Sequence, residues 1–101
     1  MSDLEMRTHS REQEIRDALI RILTDMTVDW ELDLPHGIRG STGLIGDLGC
    51  ESIDIVMFIV AVEERFGQKS LPFESLLMEG DRYVTELSVD QVTSFLEREL
   101  R

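Results

Sequence analysis

The most constraining feature of the sequence is an apolar segment in the middle of the chain. From Ile53 to Val62, Asp54 is the only polar residue. The apolar residues recur at helical spacing, and Gly67, which can end a helix in a left-handed conformation, follows shortly after. We therefore expect an α-helix over residues 52–66.

This predicted helix has two apolar faces. One stripe suits the core of a small helical protein and consists of Ile55, Phe58, Ile59, Val62 and Phe66. The second face carries Ile53, Val56, Met57 and Val60. A helix in a thin fold rarely buries its whole circumference, so the second face is either covered by a loop or kept for a partner. The sequence leaves both alternatives open.

Two further segments predict long helices, and one predicts a short helix. Residues 11–26 lack Gly and Pro and place apolar residues on one helical face, at Ile15, Leu19, Ile22, Leu23 and Met26. A capping box of Ser88 and Gln91 opens a last helix. The apolar face of that helix comprises Val89, Val92, Phe95, Leu96 and Leu100. Pro72 can open a short helix that ends near Gly80.

Residues 27–51 predict a long ordered loop. Pro35 and five glycines interrupt this stretch: Gly37, Gly40, Gly43, Gly46 and Gly49. Six apolar side chains can hold it against the core: Trp30, Leu32, Leu34, Ile38, Leu44 and Leu48. We also expect a short helical turn over residues 44–47.

No segment alternates with a period of two, so no sheet is expected. The predicted fold is all-α, a small four-helix bundle of three long helices and one short helix, with a long loop after the first. Residues 1–10 are predicted to be a flexible tail, and residues 11–101 to form the single domain.

The charge balance narrows the classes of partner. The 101 residues include 10 basic and 21 acidic side chains, which gives a formal net charge of −11. Such a chain is poorly suited to nucleic acid or to an anionic membrane surface, and it favours basic protein partners, although acidity can also serve solubility alone. Cys50 is the only cysteine, residues 1–10 are polar and lack the apolar stretch of a signal peptide, and the longest apolar run, over residues 55–62, is too short to span a membrane. We therefore expect a cytoplasmic protein that does not insert into membranes.

Ser52 stands at the start of the apolar helix, just after the turn that Gly49 predicts. Serine is among the favoured N-cap residues, so capping alone explains its position. The free N–H groups and the dipole of a helix N-terminus also favour a phosphate group there. The two roles are compatible.

The residues around Ser52 resemble a known family signature. The attachment site of acyl carrier proteins usually reads Asp-Leu-Gly-x-Asp-Ser-Leu. A seven-residue segment of this chain resembles it, namely Asp47-Leu48-Gly49-Cys50-Glu51-Ser52-Ile53. The similarity continues at Asp54, Val56, Ala61, Glu63, Glu64, Phe66 and Gly67. It is strong over residues 44–67 and weaker, though consistent, over the predicted order of helices. Glu51 and Ile53 depart conservatively from the signature, and Met57 lies where many members have an acidic residue.

The resemblance implies a carrier and not an enzyme. A phosphopantetheinyl transferase, using magnesium, would move phosphopantetheine from coenzyme A to the hydroxyl of Ser52. Acyl groups would then travel as thioesters on this arm between an acyl-loading enzyme and a ketosynthase or acyltransferase, in fatty-acid, polyketide or other specialised biosynthesis. A tether of this kind raises the effective concentration of the thioester at a partner's active site. A monomer is expected.

The same resemblance predicts a partner-binding face on the apolar helix. Its centre would be the second apolar face, and its rim would be acidic. The rim residues are Asp47, Glu51, Asp54, Glu63 and Glu64. Five bulky residues further along the chain either pack or shape a pocket for the cargo: Phe73, Leu76, Leu77, Met78 and Tyr83.

Other chemistries have weaker support in the sequence. Cys50 fits a buried apolar role, with its pKa raised by Asp47 and Glu51. His9 and His36 are expected to be solvated or structural, and no arrangement indicates a metal site or a hydrolase triad. Two alternatives stay open, namely a D-alanyl or other aminoacyl carrier of the same fold and an unmodified acidic helical domain that binds a protein partner.

Overall fold

The computed structural model describes residues 10–100 and is mostly helical within them. Its four helices are α1 (Ser10–Met26), α2 (Ser52–Phe66), α3 (Glu74–Leu77) and α4 (Val89–Glu99). Two short strands, β1 (Met78–Glu79) and β2 (Arg82–Tyr83), lie between α3 and α4. The prediction of a small helical fold is confirmed at this level, and none of the helices described is long and apolar enough to cross a membrane.

Helix α1 packs against both α4 and α2. It begins at Ser10, one residue before the predicted start, and residues 1–9 of the predicted tail lie outside the described part of the chain. The guanidinium of Arg11 donates a hydrogen bond to the Leu100 carbonyl at 2.6 Å, which places the start of α1 beside the end of α4. The two helices are therefore antiparallel.

The core lies where α1, α2 and α4 meet. Leu19, Phe58, Val62 and Phe95 are each almost completely buried there, as their helical spacing predicts. Phe73, just before α3, reaches the same core, and its ring centroid lies 4.9 Å from that of Phe95. This contact ties the region after α2 to α4.

The predicted ends of two helices are confirmed. Gly67 ends α2 with φ of 67°, the left-handed conformation that costs glycine little. At the start of α4, the Ser88 hydroxyl accepts from the Gln91 N–H at 3.1 Å, while the Gln91 side chain accepts from the Ser88 N–H at 2.8 Å. Both helix ends could be predicted because a C-cap glycine and a capping box lie within a few residues of the ends that they specify.

The region between α2 and α4 differs from the prediction. We expected no sheet, but β1 and β2 pair as an antiparallel hairpin, with Met78 opposite Tyr83. Strands of two residues are too short to show a period of two, and Gly80, with φ of 67°, provides the turn. Helix α3 is also shorter than expected, since it begins at Glu74 and ends before the hairpin.

The long loop is ordered as predicted. Leu44 and Leu48 are buried in the core, and four other predicted anchors pack partly buried against it: Trp30, Leu32, Leu34 and Ile38. The expected helical turn forms, with the Asp47 N–H donating to the Gly43 carbonyl at 3.0 Å. Its backbone also pairs with the segment before α4, because the Leu44 N–H donates to the Leu87 carbonyl at 2.8 Å.

Truncating one buried side chain of α1 tests this arrangement. Leu19 is fully buried, so we expect Leu19→Ala to lower the free energy of unfolding by about 2–5 kcal/mol. Val28→Ala, at a residue that is 75% exposed, is the control and should change it by less than about 0.5 kcal/mol. Urea denaturation followed by circular dichroism measures both, and equal stabilities of the two variants would contradict the packing of α1.

Candidate functional site

Ser52 is the first residue of α2 and is exposed to solvent. The N-cap is Glu51, with φ of −101° and ψ of 177°, so the interpretation of Ser52 as the cap was wrong. The Asp54 carboxylate accepts from the Glu51 N–H at 2.8 Å and closes this end of the helix. Because an acidic pair caps the helix, the Ser52 hydroxyl is not required for that purpose.

The three residues Asp47, Leu48 and Gly49 each have a structural role before Ser52. The Asp47 carboxylate accepts from the Gly43 N–H at 2.7 Å and closes the turn over residues 43–47, which is the turn before α2. Leu48 is buried in the core, and Gly49 has φ of 75°, where a side chain would be strained. These residues fix the path by which the chain enters α2.

Glu86 belongs to this site, although the sequence analysis did not identify it. One carboxylate oxygen accepts from the N–H groups of Ile45 at 2.8 Å and Leu87 at 2.9 Å, and the other accepts from Gly46 at 2.7 Å. Burial opposes ionisation of this carboxyl, but the three backbone donors outweigh it and lower the pKa of Glu86. The glycines of the turn were the only available signal, and they did not point to a particular carboxylate.

The second apolar face of α2 is exposed. Ile53 is 62% exposed, Met57 54% and Val60 48%, and Val56 lies open beside them at 53%. The long loop therefore does not cover this face. Of the two alternatives that the sequence left open, cover by a loop is excluded. Exposed apolar side chains gathered on one helix face are typical of a protein-binding surface.

The carboxylates predicted to form an acidic rim use much of their hydrogen-bonding capacity within the chain. Asp47 and Asp54 accept the backbone hydrogen bonds described above. The Glu63 carboxylate accepts from the Leu71 N–H at 3.3 Å. Glu51, at the N-cap of α2, and Glu64, near the end of α2, are both exposed. These carboxylates therefore also hold the backbone of the chain itself.

An apolar cavity of about 430 Å³ opens beside Ser52. Its apolar lining includes Ile45, Val56, Ile59, Leu77, Val84 and Leu87. Among the bulky residues predicted to pack or to shape a pocket, Leu77 and Tyr83 line this cavity, whereas Phe73 belongs to the core. The hairpin that the sequence did not predict thus supplies part of the wall.

Cys50 is buried, as predicted, and only 7% of it is exposed. Burial is the main cause that raises the pKa of its thiol to about 11, and the charges of Asp54 and Glu86 add to it. The predicted contributions of Asp47 and Glu51 are not among the causes. His36 is exposed in the long loop, His9 lies outside the described residues, and no metal-binding group of three His, Cys, Asp or Glu side chains occurs within residues 10–100.

Alkylation tests the environment of Cys50. A pKa near 11 leaves about a hundredfold less thiolate at pH 8 than the reference thiol value of 9.0, and burial restricts access further. We expect iodoacetamide to modify native Cys50 at least about a hundredfold more slowly than it does in urea-unfolded chain, as measured by intact mass. Comparable rates in the two states would contradict the buried position.

Three comparisons with known proteins give no match: no protein-family model, no curated protein and no solved structure is significantly similar to this chain.

Proposed function

We propose that this chain is a stand-alone acyl carrier protein whose phosphopantetheine arm is attached to Ser52. The observation that carries the proposal is the setting of the Ser52 hydroxyl. It is exposed on the first residue of α2, is not needed by the acidic cap and borders an apolar cavity. It also lies within the segment whose sequence resembles the attachment signature.

The backbone at the start of α2 suits the attached group, whereas two neighbouring carboxylates restrict where it can lie. The first turn of a helix has N–H groups without intrahelical acceptors, and these favour a phosphodiester. The neighbouring carboxylates of Glu51 and Asp54 oppose a further negative charge, so the group belongs on the solvent side of the helix start. When bound, the group would supply a thiol that carries acyl chains as thioesters, and the adjacent apolar cavity would suit an apolar cargo.

The proposal extends to the arrangement of the helices. Antiparallel packing of α1 with α4, the contact of α1 with α2 and the short α3 support a four-helix bundle of the carrier type. Residues 11–101 would form this domain, acting as a monomer in the cytoplasm.

The proposed partners are the enzymes that modify, load and unload the arm. They are a phosphopantetheinyl transferase, an acyl-loading enzyme, and a ketosynthase or acyltransferase of fatty-acid-like, polyketide or other specialised biosynthesis. All of them must approach Ser52, and the exposed apolar face of α2 begins one residue later at Ile53. Protein partners with an apolar centre and a basic rim would complement this surface.

Intact mass spectrometry tests the attachment. The protein is incubated with coenzyme A, magnesium and a broad-specificity phosphopantetheinyl transferase. We expect a gain of one phosphopantetheine in the wild type and in Ser94→Ala, a control at an exposed serine of α4, and no gain in Ser52→Ala. A folded wild type that gains no mass would contradict the proposal and favour an unmodified interaction domain.

A second experiment asks whether docking depends on apolar contact. Met57 is 54% exposed on the face beside Ser52, and buried apolar side chains at an interface centre often contribute more than 1 kcal/mol. We expect Met57→Ala to raise the KM of the transferase for the carrier at least about fivefold, with a shallow dependence on salt. Val28→Ala is the control, because Val28 is also exposed but lies at the start of the long loop, outside the apolar face of α2. A steep salt dependence that Met57→Ala leaves unchanged would overturn this view.

A further inference from the structure

The carboxylate of Glu86 joins two parts of the chain that are distant in sequence. Two of its three donors, Ile45 and Gly46, lie 41 and 40 residues before it, and the third is its neighbour Leu87. Glu86 is exposed, but three N–H groups directed at one carboxylate fix its position through three charge-assisted hydrogen bonds. Glu86 therefore links the segment before α4 to the turn before α2.

Two glycines make room for this contact. A Cβ added at Gly43 or at Gly46 would overlap the Glu86 carboxylate. Neither glycine has a positive φ, so a left-handed backbone does not explain them. At both positions the overlapping atoms belong to the Glu86 carboxylate, and at Gly46 this close approach accompanies the hydrogen bond that its N–H donates.

The turn held by Glu86 leads directly to Ser52. The Cys50 N–H donates to the Leu44 carbonyl at 2.9 Å, which closes the turn one residue before the Glu51 cap. Ile45 and Leu87, whose N–H groups share one oxygen of Glu86, also line the cavity beside Ser52. The same carboxylate thus reaches both the approach to α2 and one wall of the cavity.

We propose that Glu86 is a positioning residue, which holds the turn before α2 in the conformation that a phosphopantetheinyl transferase must recognise to modify Ser52. This inference rests on the proposed carrier function. A transferase that binds only the ordered turn would lose apparent affinity in proportion to the fraction of carrier in which the turn is ordered. Chemistry after binding would be unaffected, because Glu86 is not proposed to touch the reacting atoms.

The fold does not depend on the Glu86 carboxylate alone. Backbone hydrogen bonds from Leu44 to the Leu87 carbonyl and from Val89 to the Thr42 carbonyl, at 2.8 and 3.0 Å, join the same two segments. Leu44 and Leu48 also remain anchored in the core. Removal of the carboxylate should therefore loosen the turn locally without unfolding the chain.

Two substitutions of Glu86 separate a positioning role from a stabilising one. Glu86→Ala removes all the acceptors, whereas Glu86→Gln keeps one acceptor oxygen and replaces the other with an amide nitrogen that cannot accept. Glu97→Gln, at an exposed carboxylate of α4, is the matched control. Amide hydrogen exchange at Ile45 and Gly46 reports on the turn, and urea denaturation shows that each variant is folded under the conditions of the assay.

The kinetic test varies the carrier concentration at saturating coenzyme A and magnesium. We expect Glu86→Ala to raise amide exchange at Ile45 and Gly46 and to raise the KM for the carrier about tenfold, with kcat within about twofold of the wild type. The KM and the amide exchange of Glu86→Gln should lie between those of the wild type and of Glu86→Ala. Glu97→Gln should match the wild type in both.

Each other outcome overturns the inference. Wild-type kinetics in folded Glu86→Ala would show that the contact is only structural, and unchanged exchange would show that it does not hold the turn. A fall in kcat alone would exclude positioning through the turn. If the wild type itself is not modified, the proposed carrier function fails as well, so the two failures are distinguishable.

Discussion

The site depends on the attachment of the long loop to the segment before α4. Residues 27–51 contain no long helix or strand, so their position must come from contacts outside themselves. Leu44 and Leu48 supply apolar burial, and backbone pairing with Leu87 and Val89 supplies direction. Since Ser52 follows this loop, the path by which the chain reaches it depends on residues more than thirty positions later in the chain, in addition to the packing of α2.

The sequence predicted those parts of the fold that have local signals. Helices α1, α2 and α4 follow from apolar spacing, and Gly67 and the pair Ser88 and Gln91 mark their ends, because each signal lies within a few residues of the structure that it specifies. The hairpin was missed because its strands are shorter than any detectable period. The cap of α2 was misassigned because serine is the commoner capping residue, and only the geometry shows that Glu51 and Asp54 fill that role.

The candidate site was predictable to the same extent. Ser52, its neighbours in the motif and the second apolar face were visible in the sequence, but whether the loop covered that face was not. The contribution of Glu86 could not be predicted. A side chain that accepts hydrogen bonds from backbone N–H groups about forty residues away leaves no spacing pattern in the sequence. Its lowered pKa and the space at Gly43 and Gly46 become visible only when the turn and the carboxylate are seen together.

The contact between Arg11 and the Leu100 carbonyl has a practical consequence. It brings the two ends of the described chain side by side, next to Arg65 and Phe66 at the end of α2. Helix α2 is 15 residues long, so at 1.5 Å per residue Ser52 lies about 20 Å from that end. A fluorescent label attached at Arg11 or at Leu100 would therefore sit about one length of α2 away from Ser52, so its signal would report on the bundle without touching the start of α2.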